Sequence, residues 1–165
     1  MDEKQNSEYR TIRGYQMANQ RKNELTPAME DYLEMAFKLC IENGYTRVGR
    51  LSEQLNVRPS SASKMISKLV ELGYLEYDPY ESILLTGKGR TVGTYLLHRH
   101  DTLEQFFRLI GNTNPLEEVE LIEHSLTSST VSQINNLLHF FAQNPNICKE
   151  YELFKKNDNP HFCPR

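Results

Sequence analysis

The sequence has 165 residues, 38% of them hydrophobic and 25% charged, and a formal net charge of −3. That length allows one compact domain or two small ones, and the apolar fraction argues against wholesale disorder. The acidic total argues against a general nucleic-acid coat protein, no apolar run approaches the roughly 20 residues that span a bilayer, and Cys40, Cys148 and Cys163 are too few and too widely spaced for a disulfide framework.

The N-terminal stretch MDEKQNSEYRTIRG has no apolar signal core, so a cytoplasmic protein with no membrane partner is expected. Residues 1–24 are polar and without periodicity, which predicts a flexible arm. Leu25-Thr26-Pro27 then offers Thr26 as a helix cap and Pro27 as a first helical residue. The helix should run to about Glu42 and stop at Asn43-Gly44. Met29, Leu33, Ala36, Phe37 and Cys40 form its apolar stripe, and Asp31 and Glu34 lie on the opposite side, about 60° apart.

A short helix carrying Leu51 and Leu55 comes next, and the turn Asn56-Val57-Arg58-Pro59 leads into a second helix. There Ala62, Met65, Ile66, Leu69 and Val70 follow the spacing of an inward stripe. Ser60, Ser61, Ser63, Lys64, Ser67 and Lys68 cover the other face, and Gly73 ends the helix. Two short strands, around 74–77 and 82–86, are joined through Asp78-Pro79-Tyr80. Helix, turn, helix and hairpin over residues 25–90 describe a winged helix-turn-helix.

A long helix is predicted over about 88–110, with Val92, Tyr95, Leu96, Leu103, Phe106, Phe107 and Ile110 as its stripe. Gly111 to Pro115 breaks it. A helix over about 115–126 follows, then another over about 128–143 that displays Val131, Ile134, Leu138 and Phe141. Residues 91–143 thus read as an all-α domain, and 144–165 as a polar tail with one candidate helix near 147–156. The fold class is mainly α: a winged helix with a small β-hairpin wing, followed by helices.

Charge divides this frame. Residues 47–99 hold eight Lys/Arg against five Asp/Glu, whereas residues 100–126 hold one against six. A basic middle beside an acidic block suggests one part that binds an anion and one that binds a cation. On the basic side, small hydroxyls and lysines suit a major groove, and Arg58 with the helix start can approach a phosphate. Without an arginine-rich stripe, affinity for double-stranded DNA must come from a dimer reading two half-sites. A winged helix that binds protein, with a merely solvated outer face, uses the same pattern.

On the acidic side, EEVELIEH puts Glu120, Glu123 and His124 on one helix face about 100° wide. In LLHRHDTLEQ, His98 lies about 120° from the centre of the apolar stripe and His100 within about 80°, so His100 is the inward-facing candidate ligand. Asp31, Glu34, His100, Glu120, Glu123 and His124 together offer oxygen and imidazole donors and no sulfur. That chemistry suits Mn²⁺ first and Fe²⁺ second. Four carboxylates balance two divalent ions, which favours a binuclear site. An ordinary acidic amphipathic helix fits the spacing as well. A metal-dependent hydrolase fits the donors, but no nucleophile or phosphate-cradling loop accompanies them. A regulator sensing an organic ligand leaves all six residues unexplained. Cys148, His161 and Cys163 form a further metal-type set in the tail.

PAMEDYLE, RPSSASKM, LLTGKGR, HRHDTLEQFFRLIG and VELIEHSL resemble the diphtheria-toxin-repressor family, specifically its short manganese-transport-regulator branch, over about residues 25–143. The resemblance implies that Asp31, Glu34, His100, Glu120, Glu123 and His124 are metal ligands. It implies a homodimer joined through the helices after residue 88, and a repressor that binds a palindromic operator of manganese-uptake genes when metal is bound. The longer iron-responsive members look less similar. They have methionine where Asp31 stands, cysteine where Glu123 stands, and a C-terminal SH3-like domain for which this sequence leaves no room.

Overall fold

The structure, a computed structural model, describes residues 25–157 except Pro79. Those residues form two compact units, and the division falls between Leu97 and His98. It lies inside one long helix, so each unit owns half of that helix.

The first unit begins with α1 (Pro27–Asn43). Its start is fixed by Thr26, whose Oγ1 accepts the Met29 N–H at 3.4 Å, and by Pro27, whose ring presets a helical φ. Its end is fixed by Gly44, which adopts φ 82° and donates its N–H to the Cys40 carbonyl at 2.8 Å. Helix α2 (Val48–Gln54) and helix α3 (Pro59–Glu71) follow. Leu33, Ala36, Leu51, Ala62, Ile66 and Leu69 are wholly buried where these helices meet. Each buried leucine or isoleucine there contributes about 1.5–3 kcal/mol. The expected inward stripes of α1 and α3 are the ones that pack. Cys40 lies in the same interior, where burial pushes its thiol above the ordinary range, as suits an inert packing residue.

Strands β1 (Leu75–Tyr77) and β2 (Ile83–Leu85) pair antiparallel, with Leu75 opposite Leu85 and Tyr77 opposite Ile83. Each is slightly shorter than the sequence suggests. Thr46, in the α1–α2 loop, exchanges two backbone hydrogen bonds with Ile83, at 3.0 and 2.8 Å, and so ties the hairpin to the helices. At the hairpin turn the Asp78 carboxylate accepts the N–H groups of Ser82 at 2.7 Å and Tyr80 at 2.8 Å. Those bonds, led by the one from Ser82, hold its carboxyl below the usual range.

Helix α4 (Gly87–Ile110) begins against the end of α3. Gly89 comes so near the Tyr74 carbonyl that a Cβ there would stand 1.9 Å from its oxygen. Only a residue without a side chain fits. Gly89→Ala is therefore expected to lower unfolding stability by about 2–3 kcal/mol, since backbone must move to admit the methyl. The control is Gly49→Ala, within α2, where the added carbon meets nothing within 4 Å. It should be neutral or stabilise by up to ~1 kcal/mol. Equal denaturant midpoints for the two variants would remove the steric argument.

The second unit holds the rest of α4, then α5 (Leu116–Ile122), a 3₁₀ turn (Glu123–Ser125), α6 (Ser128–Gln143) and α7 (Pro145–Asn157). Sequence periodicity suggested one helix over 115–126, yet the α-helix stops at Ile122 and its last residues tighten. The reason lies downstream. Leu126 is extended (φ −87°, ψ 141°), and Thr127 turns its Oγ1 to accept the Thr130 N–H at 3.2 Å and cap α6. A chain committed to that cap has to leave the helix early. The last helix is longer than expected and starts at Pro145. Leu103, Val119 and Val131 are buried in this unit, but Ile110, expected inside, is 45% exposed. Leu121, Leu137, Phe140, Leu153 and Phe154 are exposed as well. No helix among the described residues is long and apolar enough to cross a membrane.

Candidate metal centre

The acidic block converges where α4 meets α5 and the 3₁₀ turn. His100, Glu120 and Glu123 each offer one ligand atom, and these lie within 4.8 Å of one another. His100 Nδ1 stands 3.3 Å from Glu123 Oε2 and 3.9 Å from Glu120 Oε1. Glu123 Oε1 is 3.8 Å from His124 Nε2. The four side chains differ in depth: Glu123 is only 2% exposed, His100 and His124 are largely covered, and Glu120 faces solvent. A carboxylate withdrawn this far from water needs a cation or donors around it. Glu123 is enclosed while Glu120, three residues earlier, remains at the rim.

The expected inward turn of His100 is found in the structure. His98 is exposed and His100 is buried. Asp31 and Glu34 stand on α1, in the first unit. Asp31 is exposed, whereas Glu34 is buried and its Oε1 binds Lys38 Nζ at 2.7 Å, one helical turn on. Of the tail set, Cys148 lies on α7, while His161 and Cys163 are outside the described residues.

One residue of the centre escaped the sequence reading. Arg99, 3% exposed, has its Nε 3.9 Å from Glu123 Oε2 and its Nη2 3.3 Å from His124 Nδ1. A signal existed. Arg99 follows Leu96 by three residues and precedes Leu103 by four, and both leucines are 1% exposed. Helical spacing therefore turns it inward.

Arg58, Ser60, Ser61, Ser63, Lys64, Ser67 and Lys68 are all exposed on or beside α3. Ser67 Oγ donates to the Ser63 carbonyl at 3.0 Å, and no side chain caps the start of the helix. One face of α3 packs the core while the other presents hydroxyls and ammonium groups.

The iron-dependent-repressor models match this chain in two parts. The N-terminal DNA-binding domain matches residues 24–83, and the metal-binding and dimerisation domain matches residues 86–152. The chain belongs to the diphtheria-toxin-repressor family. Within it, the chain falls in the MntR branch. It is 41% identical to the HTH-type transcriptional regulator MntR of Shouchella clausii (strain KSM-K16) over 138 residues, 82% of this chain and 96% of that protein. It is 39% identical to MntR of Bacillus subtilis (strain 168), again over 138 residues, 82% of this chain and 97% of that protein.

Among solved structures, T. acidophilum IdeR is similar with a TM-score of 0.61 at 28% identity, over 71% of this chain and 55% of that one. The manganese regulator SloR gives 0.62 at 26% identity, over 70% and 55%. A manganese-dependent transcriptional repressor in complex with manganese gives 0.59 at 26% identity, over 68% and 53%. The chain thus spans about half the length of these solved regulators and nearly all of the two MntR relatives. A DNA-binding unit followed by a metal-binding, dimerising unit makes this chain a metal-dependent transcriptional regulator.

Proposed function

We propose that this chain is a manganese-responsive repressor, a homodimer that binds a palindromic operator of manganese-uptake genes when its metal centre is filled. The observation that carries this is the buried Glu123 carboxylate facing His100 and accompanied by Glu120, all within ligand-sharing distance. His124 adds a second imidazole, and the donor set contains no sulfur. Such a set fits Mn²⁺, with Fe²⁺ next. Asp31 and Glu34 complete it as ligands from α1, and with four carboxylates the balanced occupancy is two divalent ions per subunit. When bound, the metal supplies the positive charge that lets four carboxylates share one centre.

The rest of the mechanism belongs to the chain. Asp31 and Glu34 are carried by the unit that bears α3, and the other four ligands by the unit that dimerises. Filling the centre selects the DNA-competent population of the dimer. Two recognition helices held about 34 Å apart meet successive major grooves, and a misplaced pair loses a whole half-site. By linkage, DNA and metal each tighten the binding of the other. The exposed apolar residues of α6 and α7, Phe140 and Leu153 among them, support the dimer.

The test begins with DNA sites selected from random-sequence duplexes by the Mn²⁺-loaded chain. Binding is then titrated with Mn²⁺, Fe²⁺ and Zn²⁺ at fixed salt, because salt alone shifts such affinities strongly. Mn²⁺ should support binding and a chelator should abolish it. Binding that survives the chelator would point to a regulator sensing an organic ligand, and Mn²⁺-stimulated hydrolysis of the duplex would point to an enzyme.

A further inference from the structure

We propose that Arg99 is an internal stand-in cation: its guanidinium holds Glu123 and His124 while the centre is metal-free, yields when the centre fills, and so sets the metal concentration at which the regulator responds. The inference rests on the reading of Glu123 and His124 as ligands given above.

Arg99 is 3% exposed and brings a guanidinium charge into the interior. Its Nε lies 3.9 Å from the Glu123 carboxylate, so it supplies positive charge where a buried anion requires it. Its contact with His124 is more telling. A guanidinium has only donors, so the 3.3 Å contact makes His124 Nδ1 the acceptor. The other ring nitrogen, Nε2, faces Glu123 Oε1 at 3.8 Å. One imidazole nitrogen is already occupied by Arg99.

A metal takes a bare nitrogen lone pair. If Nδ1 ligates, Arg99 has to leave it. If Nε2 ligates, the ring proton sits on Nδ1 and two N–H groups confront each other. Histidines that ligate metals ordinarily donate their second N–H to a carboxylate or carbonyl, which orients the ring and strengthens the ligand. Arg99 offers the opposite polarity. It also adds a fixed positive charge beside an incoming divalent ion. Its two effects are therefore opposed: it stabilises the metal-free site and weakens the ligand set. A residue that merely supported the ligands would do the first without the second.

The experiment measures Mn²⁺ binding to the full chain by calorimetry, without DNA, for wild type, Arg99→Met, Arg99→Lys and Glu123→Ala. Denaturant unfolding is recorded with and without Mn²⁺. Arg99→Met should bind Mn²⁺ about tenfold tighter, roughly the worth of one charge-assisted contact removed from the metal-free state. Its metal-free form should unfold at lower denaturant, and the gap between metal-free and loaded midpoints should widen. Arg99→Lys keeps the charge but loses the planar fork, so its affinity should fall between wild type and Arg99→Met. Equal or weaker Mn²⁺ affinity in Arg99→Met overturns the proposal. Should that variant fail to fold without metal, affinity of Arg99→Lys equal to or below wild type overturns it. If Glu123→Ala binds Mn²⁺ as wild type does, the metal-centre reading fails first and takes Arg99's role with it. Strong dependence on Glu123 with no gain in either Arg99 variant rejects the role of Arg99 alone.

Discussion

Replacing Glu123 by alanine is expected to weaken Mn²⁺ binding by more than about 100-fold and to abolish Mn²⁺-dependent operator binding. The lower bound follows from outer-shell partners, whose loss already costs about 10–100-fold in metal affinity, and Glu123 is proposed as a direct ligand. Its position makes it the most costly of the set to lose. It is 2% exposed, faces His100 at 3.3 Å and lies 3.8 Å from His124, so it borders both imidazoles. Water cannot readily take its place in so enclosed a spot. Alanine also leaves the Arg99 guanidinium buried beside a void, which destabilises for reasons unrelated to metal. Glu123→Gln separates the two effects. It keeps the volume and the polarity beside Arg99, but it loses the ionic charge that a hard divalent cation selects. Both variants should therefore lose metal response, while the glutamine variant should better retain metal-free stability. Calorimetry with Mn²⁺ and fluorescence anisotropy with labelled operator check this. Operator affinity matching wild type at every Mn²⁺ concentration would remove Glu123 from the centre.

The parts of this molecule that were legible are those in which local chemistry decides. Thr26-Pro27 and Asn43-Gly44 bound α1 because each satisfies, or cannot continue, a helical hydrogen-bond pattern within a few residues. The two faces of α3 follow from a 3.6-residue period, and the inward turn of His100 against the outward turn of His98 follows from the same count. Depth was not legible in this way. Asp31 and Glu34 share a side of α1, yet one is exposed and the other buried. Glu120 and Glu123 were assigned to a single face, yet one stands at the rim and the other is enclosed. Spacing gives an angle around a helix axis, and only packing gives the distance from water. The 3₁₀ turn was hidden for a related reason. Glu123 and His124 fit the helical period, and the constraint that ends the helix comes from Thr127, the cap of the next one. Arg99 was overlooked because a charged residue on an apolar stripe is easily taken as an interruption, when it can be a counter-charge for a site supplied by another element.

Lys64 and Lys68 carry the second large expected effect, and it should appear on DNA alone. Both project from the exposed face of α3, one turn apart, while the gathered donors His100, Glu120, Glu123 and His124 stand on α4, α5 and the 3₁₀ turn. In the proposed dimer every substitution counts twice. The Lys64→Ala/Lys68→Ala pair thus removes four ammonium groups from the interface. If each meets a phosphate, the slope of log affinity against log salt should become shallower by about 3 to 4, at ~0.9 per phosphate. Operator affinity near physiological salt should drop by about 100-fold or more, and by a similar factor for unrelated duplexes. Mn²⁺ affinity measured without DNA should stay at the wild-type value, because no donor has been touched. A base contact would leave a different signature. A lysine reading guanine would cost selectivity at one operator position and alter the salt slope less. The single substitutions, measured on operator and on random duplex across salt, assign each lysine to one role or the other. A loss of Mn²⁺ affinity parallel to the loss of DNA affinity would contradict the division of labour between the two units.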